Sequence, residues 1–242
     1  MLIVENIFSS PEENVAVDEL LLMKAERGEA GESLRFWESA EYFVVLGRAG
    51  KVLEECLYER CLADGIKIVR RMSGGGTILQ GPGSLNYSLV LSYERYGCMR
   101  DVVSSYHEIL RGIVASLKNN GFPDAGFFPI SDIALGDKKI SGNAQARKKN
   151  FFLHHGTVLF NMDLAKISEY LKYPPNEPEY RKGRPHSDFI ANIPATREQL
   201  EKVIGEAFRC SGAKERIEEK DIEELRDLVR RKYSSDSWNL CF

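Results

Sequence analysis

The chain has few cysteines: Cys56, Cys61, Cys98, Cys210 and Cys241, odd in number and without a Cys-x-x-Cys pair. That argues against a disulfide framework or a thiolate metal site, and Cys56 and Cys61 read as reduced core residues. Long apolar runs are also missing. Tyr42-Phe43-Val44-Val45-Leu46 is among the longest and is far too short to span a bilayer. The N-terminus has no positive segment followed by an apolar one, which argues against secretion and for a cytoplasmic protein. A one-signed charge is absent too: a formal net charge of −3 gives no reason to expect nucleic acid or an anionic membrane as partner. There is no Gly-x-Gly-x-x-Gly fingerprint and no internal repeat.

What is present is the composition of a folded globular protein, 43% hydrophobic and 29% charged, which excludes disorder. Its 242 residues suffice for one large domain or two modest ones, and no shift of composition marks a boundary. Basic character is local. Lys138, Lys139, Arg147, Lys148 and Lys149 form one group, and Arg181, Lys182 and Arg184 a second.

Ser10-Pro11-Glu12-Glu13 combines a hydroxyl cap, a first-turn proline and a Glu three residues after the cap. It predicts a helix to about Gly28 with Val17, Leu20 and Leu21 on one face. Leu34–Trp37 and Tyr42–Leu46 read as strands paired with each other, Ile66–Val69 and Asn86–Ser92 as strands entering and leaving a glycine segment. Asp101 opens a helix that ends at Gly121. Ile133–Leu135, a Gly136-Asp137 turn, Lys139–Arg147 and Phe151–Phe160 form an antiparallel meander. Asp163 caps a short helix, a proline-rich charged loop runs over 174–194, and Thr196-Arg197-Glu198-Gln199 is a second capping box. Strand pairs interleaved with helices, without a βαβ rhythm, predict an α+β fold with a mixed, largely antiparallel sheet flanked by helices.

The richest stretch is Arg70-Arg71-Met72-Ser73-Gly74-Gly75-Gly76. Three consecutive glycines cost backbone entropy, and in return allow bare amides to approach a ligand closely. Adjacent arginines suggest that the ligand is anionic. Further on come Lys139-Ile140-Ser141-Gly142-Asn143-Ala144 and then His154-His155-Gly156-Thr157. In this order and at these separations the three motifs closely resemble the lipoate–protein ligase A family, of the biotin/lipoate ligase superfamily. The resemblance extends to Lys232-Tyr233-Ser234 and Trp238-Asn239, and so covers nearly the whole chain.

The resemblance implies a fold related to class II aminoacyl-tRNA synthetase cores; a single catalytic domain over residues 1–242 is expected, and from the chain's length no C-terminal accessory domain. It implies two steps: lipoate and ATP, with Mg²⁺, give lipoyl-AMP, and the acyl group passes to a lysine of a carrier. The implied partner is a lipoyl-carrier domain, such as that of a 2-oxoacid dehydrogenase E2 or a glycine cleavage H protein, and possible helpers include a separate accessory ligase subunit. Lys139 matches the family's central lysine, which bridges acyl carbonyl and phosphate oxygens. Arg71 and Ser73 match positions that line the substrate site, and Gly74, Gly75 and Gly76 the loop around the acyl-adenylate. Asp132 reads as a contact of Mg²⁺ or the ribose, or as a turn cap; His155 as an adenylate contact, or as an imidazole hydrogen-bonded within the sheet. Arg70 reads as a substrate-side or a surface ion-pair residue, Tyr42, Phe43 and Leu46 as walls of an apolar tunnel for the dithiolane tail, and Glu179–Arg184 as a docking edge for an acidic carrier.

Two features depart from the family pattern. Gln80-Gly81-Pro82-Gly83-Ser84 stands where many ligases carry His-Asp-x-Gly-Asn, and resembles the octanoyltransferases of the same superfamily, which work through a cysteine thioester. Yet Phe127–Ser131, where one transferase group has its cysteine, contains none, and none occurs between Asn161 and Cys210. The second departure is length, since many ligases carry a further small domain. Octanoyl transfer is the alternative reading, with biotin ligation and non-catalytic binding behind it.

Overall fold

The computed structural model describes residues 1–5, 8–95, 97–210 and 214–241, the side chains of residues 97 and 98 apart. Cys98 is therefore outside the described side chains. Among the described residues the strands are β1 (Leu2–Val4), β2 (Ser33–Trp37), β3 (Phe43–Leu46), β4 (Lys67–Arg70), β5 (Ile78–Gln80), β6 (Ser84–Ser92), β7 (Ala125–Phe128), β8 (Asp132–Leu135), β9 (Lys138–Arg147), β10 (Phe151–Leu159) and β11 (Lys214–Glu215). The α-helices are α1 (Pro11–Glu26), α2 (Val52–Glu55), α3 (Tyr58–Ala63), α4 (Val102–Asn119), α5 (Ala165–Tyr170), α6 (His186–Phe189), α7 (Arg197–Ala207), α8 (Glu219–Leu228) and α9 (Asp236–Asn239).

The strands form an eight-stranded sheet in the order β11-β1-β2-β6-β10-β9-β8-β7 and a three-stranded sheet in the order β4-β3-β5. The large sheet is parallel only where β1 meets β11 and β2. The fold is thus α+β with a mixed, largely antiparallel sheet flanked by helices, as the strand pattern implied. One pairing differs from expectation. β2 pairs with β6, and β3 joins β4 and β5 in the other sheet. Neighbouring apolar runs announce strands, but only tertiary packing chooses their partners.

The capping signals act as written. Ser10, Asp101 and Thr196 accept from the backbone N–H groups of Glu13, Ser104 and Gln199, and α7 carries the reciprocal capping box. Helix α1 is broader in its burial than one face: Val15, Ala16, Val17, Leu20, Leu21, Leu22 and Ala25 are all buried. It is wedged between the two sheets and α8, touching β6 and β10 on one side and β4 on the other, so it has hardly any solvent face. A second apolar core lies on the opposite face of the large sheet under α4 and α7, with Leu89, Ile109, Ile113 and Val203. The small sheet packs on α2, α3, α5 and α6 through Val44, Leu46, Ile167 and Phe189. Cys56 and Cys61 are free and buried there, and burial pushes the Cys56 thiol up to about 12. Both are inert core residues. No helix among the described residues is long and apolar enough to cross a membrane.

Candidate active site

Between the two sheets lies a cavity of about 890 Å³, within the range of small-molecule sites. Its floor follows from strand register. Trp37, Asn86, Thr157, Gly142 and Asp132 stand opposite one another across β2, β6, β10, β9 and β8, and all line the cavity. The row crosses four strand spacings, about 19 Å. The next row on the same face is Arg35, Ser88, His155 and Ala144. Val15, Trp37, Val45 and Ile78 give the β2 end an apolar wall.

The glycine segment forms one side wall. Gly75 takes φ +86, and a Cβ on Gly47 would lie 2.0 Å from the Gly75 carbonyl oxygen, so the loop and the end of β3 touch backbone to backbone. Only glycine satisfies both demands. Arg71 stands behind this loop. Its guanidinium donates to the carbonyls of Gly74 (2.6 Å), Gly76 (2.9 Å) and Val45 (3.4 Å) and to Ser73 Oγ (3.0 Å). Burial lowers its pKa to about 10, still a cation at neutral pH. Arg70 is 0% exposed and donates to the carbonyls of Gly47, Arg48, Gly50, Trp238 and Asn239. The surface ion-pair reading of Arg70 is overturned: the arginine ties the C-terminal Trp-Asn motif to the base of the loop.

Ser73, 1% exposed, does not line the cavity, and neither does Gly74; Arg71, Gly75 and Gly76 do. Ser73 Oγ lies 2.6 Å from His155 Nε2, and His155 Nδ1 lies 2.7 Å from Asp18 Oδ2. Asp18 Oδ1 accepts from Ser88 Oγ at 2.6 Å and sits 3.7 Å from Arg35 Nη1. With Nδ1–H donated to the carboxylate, Nε2 becomes the acceptor for the Ser73 hydroxyl. The chain Asp18–His155–Ser73–Arg71 therefore latches α1, β10 and the glycine loop together. His154 points to the other face, fully buried beside Tyr87 and Tyr106, and burial pushes its imidazole down to about 3.

The facing wall is built differently. Lys139 Nζ is 2.8 Å from Asp132 Oδ1, and Asp132 Oδ2 accepts from the Tyr180 hydroxyl at 2.8 Å. A bulge brings this about. Asp132 pairs with Gly142 and Ile133 with Ser141, but Ala134 pairs with Lys139, leaving Ile140 as the extra residue. Strict alternation would turn Lys139 to the face of Ser141 and away from Gly142; the inserted residue returns it to the face of Asp132. Its ammonium then crosses Gly142, where a Cβ would stand 3.0 Å from Nζ. Lys138 is exposed. Above this end runs a strap, residues 174–190, that contributes Glu177, Tyr180, Arg181, Lys182, His186 and Ile190 to the cavity.

Several expectations need correction. Tyr42, Phe43 and Leu46 are not among the lining residues; Tyr42 packs on Gly81, and Phe43 and Leu46 are fully buried. Val45, beside the loop, lines the apolar end instead. Arg147–Lys149 lie at the far end of the ten-residue β9 from Lys138 and Lys139, about 30 Å away, so that basic group is two. Arg181 is buried, and Arg184 is engaged by Asp137 at 2.7 Å, which leaves Lys182 as the exposed cation of the supposed docking edge. Asp132 and Lys139 do meet, and Asp132 caps no turn. Both Asp132 oxygens are engaged, and no cluster of three or more ligating side chains occurs among the described residues. The sequence reading missed Asp18 and Arg35, and placed Tyr180 and Arg181 on a docking edge, whereas both line the cavity. The acidic pair Asp18-Glu19 inside the apolar run Val15–Leu22 was the available signal for Asp18.

The sequence model of the lipoyl protein ligase A/B catalytic domain matches residues 10–220. An octanoyltransferase LipM from Carboxydothermus hydrogenoformans is 27% identical, over 97% of this chain and 96% of its own. A structure of a bi-partite lipoate protein ligase and its E2 lipoyl domain from Thermoplasma acidophilum superposes with a TM-score of 0.82 at 25% identity, covering 99% of this chain and 95% of that one. A lipoate-protein ligase A bound with ATP gives a TM-score of 0.82 at 26% identity, over 99% and 98% of the two chains. With the motif-bearing residues gathered around one cavity and the family model spanning most of the sequence, the chain belongs to the lipoyl protein ligase A/B catalytic domain family, the lipoate ligase and octanoyltransferase enzymes.

Proposed function

We propose that the chain is an adenylate-forming lipoate–protein ligase. One observation supports this most strongly: a cavity that joins an apolar end to the Lys139 ammonium is lined by no thiol among the described side chains. Cys56 and Cys61 are buried elsewhere, and Cys210 and Cys241 lie outside the lining. Transfer through a thioester needs a thiolate at the reacting carbon; transfer through a mixed anhydride does not.

In this reading the tail of lipoate enters the Val15, Trp37, Val45 and Ile78 wall, and its carboxylate reaches Lys139 over Gly142. ATP supplies the α-phosphorus. A carboxylate oxygen attacks it, pyrophosphate leaves, and acyl-adenylate remains. Negative charge builds on the phosphoryl oxygens, and a fixed ammonium faced by glycine amides stabilises it without reorganising. The incoming carrier lysine, as a free amine, then attacks the acyl carbon; AMP leaves and one proton is released. Lys139 polarises the carbonyl in that second step. Asp132 holds Lys139 in place, and Tyr180 holds Asp132. Arg71, Ser73 and His155 act through the loop, keeping Gly74, Gly75 and Gly76 in shape for the adenylate.

The partner in this reading is a lipoyl-carrier domain, and an accessory subunit is a natural helper, since one structural relative is bi-partite and was studied with an E2 lipoyl domain. The experiment is incubation with lipoate, ATP and Mg²⁺, with and without a lipoyl domain, and mass analysis of both small molecule and carrier. Lipoyl-AMP and an acylated carrier are expected. Acylation that ignores ATP and proceeds only from octanoyl-acyl carrier protein would establish the transferase alternative instead.

A further inference from the structure

The floor row of the cavity has a neighbour that turns the other way. Between the row of Asn86, Thr157 and Gly142 and the row of Ser88, His155 and Ala144 stand Tyr87, Gly156 and Asn143, paired across β6, β10 and β9. Side chains alternate along each strand, so Tyr87 and Asn143 leave the sheet on its reverse face. Tyr87 is fully buried there, in the core under α4, and Asn143 is 9% exposed. Gly156, between them, puts nothing in the way. A Cβ on Gly156 would lie 1.9 Å from Asn143 Oδ1 and 2.8 Å from a Tyr87 ring carbon, so any larger residue would push the two apart.

Across that gap the Tyr87 hydroxyl donates to Asn143 Oδ1. Burial pushes the Tyr87 phenol well above its usual pKa range, so it stays a donor at any working pH. Its hydrogen needs an acceptor; the amide oxygen of Asn143 faces it, and Nδ2 points the opposite way. Nδ2 donates to the Ser131 carbonyl at 2.7 Å and to Ser141 Oγ at 3.4 Å. The Ser131 carbonyl belongs to the peptide unit that enters Asp132, and Asp132 Oδ1 is 2.8 Å from Lys139 Nζ. β8 is four residues long and lies one strand from the edge of the sheet. A tether from the centre of the sheet limits how far its first residue, Asp132, can drift.

We propose that Asn143 is a positioning residue for acyl transfer: pinned by Tyr87 through the gap at Gly156, it holds the Ser131–Asp132 peptide and, through Asp132, the place of Lys139 Nζ. This gives a task to two motif residues, the asparagine after Lys139-Ile140-Ser141-Gly142 and the glycine after His154-His155. The proposal rests on the Lys139 chemistry of the function proposed above, and holds for either acyl donor, lipoyl-AMP or octanoyl-acyl carrier protein.

The test measures single-turnover carrier acylation and lipoate affinity in wild type, Asn143→Ala, Asp132→Asn and the double variant, each with the donor that wild type uses. Asn143→Ala is expected to slow acylation roughly tenfold to a hundredfold while lipoate binds as in wild type. In the Asp132→Asn background the same change should slow it no further, since its path runs through Asp132. Asn143 also borders the cavity, so direct contact with substrate is the rival role. Losses that multiply in the double variant, or a lipoate affinity that falls with the rate, would overturn positioning in favour of that contact. Asn143→Ala leaves a buried phenol unpaired, so a second variant combines Asn143→Leu with Tyr87→Phe, replacing both polar partners by apolar groups of similar shape. It should unfold in urea near the wild-type midpoint and still acylate as slowly as Asn143→Ala. Wild-type rates in either variant would overturn the proposal and leave the functional reading intact. A wild type that acylates the carrier from neither donor would overturn both.

Discussion

The two walls of the cavity carry similar numbers of cations and use them in opposite ways. In the glycine wall, Arg70 and Arg71 turn their donors onto carbonyls of their own chain, and Ser73 is held through His155 by Asp18. In the facing wall, Lys139 rests on one carboxylate, Tyr180 on the same carboxylate, and Arg181 keeps an N–H without a partner among the described residues. The first wall is rigid because its charges are consumed within it. The second holds in Lys139 a charge that a ligand can reach, because exchanging one ion pair for another costs less than breaking several backbone contacts. The arginines beside the glycines therefore brace the loop, since their donors are spent on backbone carbonyls around it.

The largest test of that contrast is Lys139→Ala. It should reduce acyl transfer by about a hundredfold to a thousandfold, measured as single-turnover carrier modification. Stability should hardly change, because Asp132 keeps Tyr180. A variant that turns over normally would put the chemistry on the glycine wall. Next comes the latch. Asp18→Ala should cost about 3 kcal/mol in urea unfolding, since it removes the carboxylate shared by His155, Ser88 and buried Arg35. Amides of residues 73–76 should then exchange faster; unchanged protection would mean the latch does not hold the loop.

Acid probes the sheet beneath the fixed wall. His154 is neutral when folded, with a pKa near 3 against 6.5 when unfolded. The unfolded chain therefore binds the extra proton between those values, and stability falls as pH drops from 6.5 toward 3. At pH 5 the loss is roughly 2 kcal/mol, and His154→Gln should flatten that part of the stability profile. The smallest effect is expected for Gly142→Ala. Its new Cβ meets the end of a flexible lysine, so unfolding should be unaffected while turnover falls roughly tenfold from misplacement of Nζ. A loss of stability there would mean Lys139 is less free to move than its wall suggests.

Much of this was legible in one dimension. Capping residues fixed the starts of α1, α4 and α7 because an oxygen three residues before an orphan N–H is a local fact. The glycine triplet, Lys139 and the His-His pair announced themselves by chemistry and spacing, and their resemblance to a family pointed to the fold and the substrate class. Other assignments failed where distance along the chain says nothing about distance in space. The sequence could not show that Arg70 is buried under the C-terminal motif, nor expose Arg181 as a buried residue, because burial depends on what the rest of the chain lays over a side chain.

The sequence by itself determined the local elements, the family, and which residue types the site would contain. Only the tertiary structure decided which of them face the cavity. A single extra residue at Ile140 turns Lys139 from one face of β9 to the other, since side chains alternate with a period of two and one insertion inverts every position beyond it. Pairing across strands then brought Asp132 to its ammonium, and the fold laid Tyr180 and Arg181 over both.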